Sequence, residues 1–68
     1  MPDVKELFGR KLRSVRRSKG VSQERLAALA GLHRTYVSSV ERGERNISLV
    51  NIDRLAAALD VSLRDLMP

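Results

Sequence analysis

The sequence contains no cysteine and a single histidine. Without cysteine the chain can form no disulfide framework, no thiolate metal site and no cysteine nucleophile. A lone histidine, without cysteine or clustered carboxylates around it, does not supply the ligand set that a bound metal needs. We therefore expect no metal and no cofactor, and the absence of cysteine suits a reducing compartment.

Long apolar runs are missing as well. No stretch approaches the length needed to cross a membrane, and the first residues, Met1 to Glu6, carry acids where a secretory signal needs a basic start followed by an apolar run. The sequence therefore predicts a cytoplasmic protein with no membrane partner.

The usual signs of catalysis are also lacking. There is no Gly-rich phosphate loop and no pair of carboxylates whose spacing would bring them together in a pocket. A chain of 68 residues offers little concave surface. We interpret the chain as non-enzymatic, and no small-molecule ligand is evident.

With no internal repeat or linker, residues 1–68 are predicted to form a single domain. A domain of this size buries only about 60% of the surface that its unfolded chain exposes, so its core is thin. Helices and a partner subunit are the expected supports.

Positive charge is concentrated in the first two-thirds of the chain. Residues 1–45 hold 11 basic and 5 acidic side chains, whereas residues 46–68 hold 2 and 3, within a formal net charge of +5. Such asymmetry suits a polyanion bound by one part of the molecule. A basic surface that only keeps the protein soluble explains the charge equally well.

Apolar periodicity and capping residues predict five helical segments and no strand, since no segment alternates with a period of two. The first segment follows Asp3 and ends near Gly20. The second, Gln23–Ala30, lies between Ser22 as N-cap and Gly31 as a left-handed stop. The predicted apolar face of the first helix is Val4, Leu7, Phe8, Leu12 and Val15.

The third segment runs from about Arg34 to Arg42 and stops at Gly43, and the fourth follows Ser48. A last short helix follows Ser62, with an acid at capping-box spacing, and ends at Pro68. The inward stripe of the fourth segment is Ile52, Leu55, Ala56 and Leu59.

Residues 22–43 carry the most informative pattern, which reads S-Q-E-R-L-A-A-L-A-G-L-H-R-T-Y-V-S-S-V-E-R-G. Two short helices joined by a glycine-containing turn can cross steeply where the crossing residues are small or apolar. Ala27 allows the close approach and Gly31 allows the positive φ of the turn. The pattern predicts a helix-turn-helix.

The outward side of its second helix carries Arg34, Thr35, Ser38 and Ser39. An α-helix fits the major groove of DNA, where a guanidinium can pair with guanine and hydroxyls can meet other base edges. A merely solvated face would favour Glu, Lys and Ala, because Ser and Thr are poor helix formers. The pattern therefore favours base reading, with Arg34 at the N-terminal end of the helix.

Residues 10–66 resemble the Cro and phage-repressor type of helix-turn-helix domain, the lambda-repressor-like family. The resemblance implies a compact five-helix bundle in which helices 2 and 3 read DNA. The string R-T-Y-V-S-S-V-E-R-G-E-R-N-I-S is most similar to controller proteins of restriction–modification systems, which are small dimeric regulators. It implies a sequence-specific regulator of transcription that binds double-stranded DNA.

The same resemblance assigns further roles to matching positions. It makes Gln23 a phosphate contact, places His33 beside the DNA backbone, and puts Arg45 and Asn46 in a loop that commonly touches sugar-phosphate. His33 departs from the pattern, because Ser, Thr or Asp is the commoner cap there. The base-reading positions are again Arg34, Thr35, Ser38 and Ser39.

Other residues admit a structural role. Arg16 and Glu41 match a pair that forms an internal salt bridge in the family, so the resemblance assigns Arg16 to structure. Tyr36 matches a position that lies against DNA in controller proteins, although packing at the junction with helix 2 explains it equally well. Three further cations could contact phosphate or remain solvated: Arg17, Lys19 and Arg42.

The C-terminal segment, residues 60–68, is more apolar than a terminal helix needs, at Val61, Leu63, Leu66 and Met67. We expect a second copy to cover it, although Val61, Leu63 and Leu66 could instead close the core of the monomer. A homodimer would present two reading helices to a near-palindromic operator. It could repress by covering a promoter or activate by touching RNA polymerase.

The alternative function is an antitoxin-like or general protein-interaction module with the same fold.

Overall fold

The computed structural model describes residues 1–68 and is entirely helical, as predicted, with no strand. The elements are α1 (Val4–Ser18), α2 (Gln23–Ala30), α3 (Arg34–Glu41), α4 (Leu49–Ala58) and a 3-10 helix (Leu63–Leu66). None of the helices combines the length and apolar composition that crossing a membrane would require.

The predicted count of five helices is wrong, because the last segment is a four-residue 3-10 helix and only four α-helices form. Met67 precedes Pro68, and the proline ring disfavours α conformation in the residue before it. Met67 is accordingly extended, with φ −74° and ψ 134°. This leaves room for a single turn between Ser62 and Met67.

A capping box closes that turn. The Asp65 amide donates to the Ser62 hydroxyl at 3.3 Å, and the Ser62 amide donates to the Asp65 carboxylate at 3.0 Å. The hydrogen bond from the Ser62 amide is the main reason why the pKa of Asp65 is lowered. The capping box therefore stabilises the turn when the carboxylate is charged and loses that contribution as the pH falls through this lowered pKa.

Three of the four α-helices begin with a side-chain cap. The side-chain oxygens of Asp3, Ser22 and Ser48 accept hydrogen bonds from backbone amides three residues later, at 3.0, 3.0 and 3.1 Å. α3 is the exception, because His33 makes no such hydrogen bond. α3 therefore begins without a side-chain cap.

One apolar core draws on all five elements. α2 packs on α3 and α4, α1 packs on α3, and the 3-10 helix packs on both α1 and α4. The buried apolar residues are Phe8, Leu12, Leu26, Ala27, Ala30, Val37, Val40, Ile52, Leu55, Ala56, Leu59 and Leu66.

The buried face of α1 differs from the predicted one. Val4 and Leu7 are exposed, whereas Gly9 is buried. A Cβ atom at Gly9 would lie 2.5 Å from the carbonyl oxygen of Val40 and 2.6 Å from that of Glu41. The backbone of α1 therefore meets the C-terminal end of α3 directly, with no side chain between them.

We expect Gly9→Ala to lower the free energy of unfolding by about 1–3 kcal/mol, because the added methyl group meets backbone atoms that cannot rotate away. This loss should occur even though alanine favours a helix over glycine by about 0.5–1 kcal/mol. Urea denaturation followed by circular dichroism measures it. Ser14→Ala, on the exposed side of the same helix, is the control and should leave stability unchanged or slightly higher.

Candidate nucleic-acid interface

A buried ion pair joins α1 to the end of α3. Arg16 donates from Nε to Oε2 of Glu41 at 2.6 Å and from Nη2 to Oε1 at 3.1 Å. Its remaining nitrogen, Nη1, donates to the carbonyl oxygen of Val21 at 2.8 Å. The side chains of Arg16 and Glu41 are only 10% and 3% exposed. This is the bidentate geometry in which an arginine–carboxylate pair is strongest.

Gln23 completes the cluster from the first turn of α2. Its Nε2 donates to Oε1 of Glu41 at 3.0 Å. Glu41 thus collects hydrogen bonds from α1 and α2 while lying on α3, and no buried side-chain nitrogen or oxygen lacks a partner. The three helices that build the helix-turn-helix and its support are fixed to one another at this point.

The outer side of α3 is polar and open. Arg34 and Thr35 are exposed, and Ser38 is half-buried and accepts a hydrogen bond from Arg42. These four residues line a shallow depression of about 230 Å³. We call Arg34, Thr35, Ser38 and Arg42 the reading surface, after the base-reading role that the sequence predicts for the first three. Arg42 also pairs with Glu44 at 3.1 Å, whereas Arg34 has no ion pair.

Ser39 lies away from the reading surface, in a cluster with Tyr36 and Arg45. Its hydroxyl donates to the Tyr36 carbonyl oxygen at 2.8 Å and accepts from Arg45 Nε at 3.1 Å. The Arg45 guanidinium lies over the Tyr36 ring, 5.2 Å from its centroid. Asn51 donates to the Tyr36 hydroxyl at 3.0 Å. The loop after α3 is therefore tied to α3 through Arg45, and α3 is tied to α4 through Tyr36 and Asn51.

Tyr36 is half-buried against the core, as the packing interpretation predicted, while its contact with DNA stays a prediction. Arg45 lies over its ring, and Asn51 donates to its hydroxyl. Nothing in the sequence pattern indicated Asn51, because its contact with Tyr36 joins two different helices, α4 and α3.

The remaining predicted contacts are spread around this surface. His33 is exposed at the start of α3, and Gln23 is partly buried by its hydrogen bond to Glu41. Asn46 is exposed and, with Arg45, borders an apolar cavity of about 370 Å³ between the start of α1 and the C-terminus.

A second, larger concavity lies between α1, the start of α2 and α3. It measures about 470 Å³ and has no hydrophobic residue in its lining. Sequence reasoning missed Arg13, which lines it together with Arg17, although their four-residue spacing puts them on one side of a helix. Arg34 borders the same concavity, so it joins the reading surface to α1.

The C-terminal segment requires one correction. Leu66 is 0% exposed within the single chain, so it closes the monomer core and cannot meet a partner. Val61 is half-buried against the same core. Leu63 and Met67 remain 39% and 37% exposed.

Known helix-turn-helix proteins resemble this chain in sequence and architecture. A family model described as Helix-turn-helix matches residues 12–66. The chain is 50% identical over 66 residues to the control protein C.BamHI of Bacillus amyloliquefaciens, covering 96% of this chain and 82% of that protein. The crystal structure of the restriction-modification controller protein C.AhdI from Aeromonas hydrophila superposes with a TM-score of 0.91 at 57% identity, covering 93% and 91% of the two chains.

A solved complex with DNA is among the similar structures. SinR, described as the master regulator for biofilm formation, superposes in its complex with DNA with a TM-score of 0.82 at 37% identity, covering 87% of this chain and 95% of that chain.

The buried ion pair gives a direct stability test. We expect Glu41→Gln to lower the free energy of unfolding by about 3–5 kcal/mol, because it leaves the Arg16 charge buried without a counter-charge. Chemical denaturation at neutral pH measures the loss. The Arg16→Met/Glu41→Leu double variant should recover part of it, since it removes both buried charges.

Glu44→Gln is the matched control, because Glu44 pairs with Arg42 through side chains that are more than half exposed. Its effect should stay below about 1 kcal/mol. Equal effects of Glu41→Gln and Glu44→Gln would contradict a structural role for the buried pair.

Proposed function

The chain belongs to the helix-turn-helix family of DNA-binding transcriptional regulators, and we propose that it is a controller of a restriction–modification system that binds a near-palindromic operator as a homodimer. The strong similarity to C.BamHI and C.AhdI supports the controller role.

The observation that carries base reading is the state of Arg34. It lies at the first position of α3, is exposed, and has no acidic partner. A guanidinium at the N-terminal end of a recognition helix can donate two hydrogen bonds to O6 and N7 of guanine in the major groove. We assign Thr35 and Ser38 to neighbouring base edges, because they share the reading surface with Arg34.

Contacts with the sugar-phosphate backbone are assigned to Gln23, His33, Arg45 and Asn46. Gln23 stands in the first turn of α2, where helix amides attract anions. Its hydrogen bond to Glu41 already orients its amide. The Ser39 hydroxyl already donates to the Tyr36 carbonyl oxygen and accepts from Arg45, whereas the Ser38 hydroxyl only accepts from Arg42. Ser39 should therefore contribute less to specificity than Ser38.

Dimerisation would use the exposed part of the C-terminal segment. Leu63 and Met67 lie within five residues of one another and leave apolar surface in water. A two-fold axis through this patch would pair two copies of α3, which need a separation of about 34 Å to reach successive major grooves.

The effect on transcription would then depend on where the dimer binds relative to the promoter. A dimer over the promoter excludes RNA polymerase, and one bound upstream can activate transcription by touching it. As a DNA-binding regulator the protein would act in the cytoplasm, and no enzymatic step is required.

A protein-interaction role is the second candidate. Leu49 and Val50, at the start of α4, are 71% and 64% exposed. Two adjacent apolar side chains in water favour a protein contact of some kind. This role would stand alone only if the protein failed to select DNA.

Selection from random duplexes followed by competition binding tests base reading. We expect a palindromic site to be enriched, and Arg34→Ala to weaken its binding by about 1–3 kcal/mol while relaxing base preference in each half-site. Arg54→Ala, which removes the same charge from the exposed side of α4, is the control. An unchanged affinity ratio between selected and scrambled duplexes for Arg34→Ala would refute the assignment.

Sedimentation equilibrium tests the dimer. Leu63→Asp/Met67→Asp should shift the protein towards monomer by at least about tenfold in dissociation constant, because the introduced carboxylates of each protomer would be buried against those of its partner. Leu29→Asp, at an exposed apolar position on α2, should leave association unchanged. If Leu49→Asp/Val50→Asp abolished the dimer and the C-terminal variant did not, the interface would lie at α4 instead.

A further inference from the structure

Three arginines form a row along the exposed side of α1. Arg10, Arg13 and Arg17 are all exposed and lie three and four residues apart, on one side of the helix. We call them the α1 arginine row. The chain forms three ion pairs, and none of them includes a member of this row.

The row is continuous with the reading surface. Arg13 and Arg17 line the 470 Å³ concavity together with Arg34 and Gln23. Arg10, Arg13 and Arg17 also line an adjoining concavity of about 530 Å³, whose only other lining residue is Ser14. The 470 Å³ concavity is lined by five arginines and two acids, Glu24 and Glu41, and Glu41 is already paired with Arg16. The surface from the start of α3 along α1 is therefore predominantly basic.

This charge distribution opposes the stability of the isolated helix. After Glu6, α1 contains no acid, so the guanidinium groups of the row repel one another at the spacing where like charges meet. One α1 arginine, Arg16, has its counter-charge inside the protein, and the row has none. Placing this surface beside a polyanion removes the repulsion and releases counterions.

We propose that the α1 arginine row binds DNA phosphates that flank the base pairs read by α3. Arg10 and Arg17 are about 10 Å apart along the helix axis. Over that length duplex DNA carries about six negative charges. The row thus lengthens the DNA footprint outward from each half-site without reading bases. This inference rests on the proposed function and adds a second part to the interface.

The test compares two lengths of the selected operator duplex, one trimmed to the selected base pairs and one with ten further base pairs on each side. The row variant is Arg10→Gln/Arg13→Gln/Arg17→Gln, because glutamine keeps helix propensity and removes charge. The control, Lys5→Gln/Lys11→Gln/Arg54→Gln, removes the same charge elsewhere. Lys5 lies 3.9 Å from Asp3 at the start of α1, and Lys11 lies near Asp65, at the 3-10 helix. Circular dichroism confirms that both variants are folded.

On the long duplex we expect the row variant to bind about tenfold or more weakly than the wild type, with a slope of log K against log salt that is less steep by about 2–5 per dimer. On the trimmed duplex the two should bind nearly alike. The control should match the wild type on both.

If the row variant bound the long duplex with the affinity and salt slope of the wild type, the inference would be overturned. The row would then be free to bind an acidic protein. An equal loss on both duplexes, or the same loss for the control, would also overturn it. If the wild type selects no sequence at all, the proposed function fails first. If the wild type selects a sequence and the row variant binds both duplexes like the wild type, the proposed function stands without the flanking contact.

Discussion

The buried ion pair between Arg16 and Glu41 is the contact on which the DNA-reading geometry depends. Two hydrogen bonds from one guanidinium hold α1 against the last turn of α3, and Gln23 adds α2 to the same carboxylate. Two buried charges are tolerated because each has its full set of partners. A reading helix held in this way can meet base edges without first being ordered, which lowers the entropic cost of binding.

The same residue type serves two opposite purposes within α1. Arg16 faces inward and pairs with Glu41, whereas Arg13 and Arg17 line an open concavity and form no ion pair. One helix therefore anchors the helix-turn-helix on one side and offers positive charge on the other. The close approach at Gly9 makes this possible, because the backbones of α1 and α3 touch and bring the outer side of α1 near the reading surface.

The loop after α3 is a second ordered region rather than a free connection. Arg45 is held by Ser39 and lies over Tyr36, whose hydroxyl is fixed by Asn51 from α4. Backbone contacts from this loop would thus be arranged before DNA arrives. The arrangement also explains why Ser39, although it follows Ser38 in sequence, belongs to a different part of the surface: successive residues of a helix point about 100° apart.

Much of the fold followed from local chemistry in the sequence. Ser22, Ser48 and Gly31 mark helix ends through hydrogen bonds and backbone conformations that neighbouring residues determine, so α2 and the start of α4 were predictable. The helix-turn-helix likewise followed from the spacing of small and apolar residues. Tertiary packing alone decided that Gly9 is a contact point, that Leu66 belongs to the monomer core, and that Asn51 reaches Tyr36. These outcomes depend on distances between residues far apart in the chain, which no local pattern encodes.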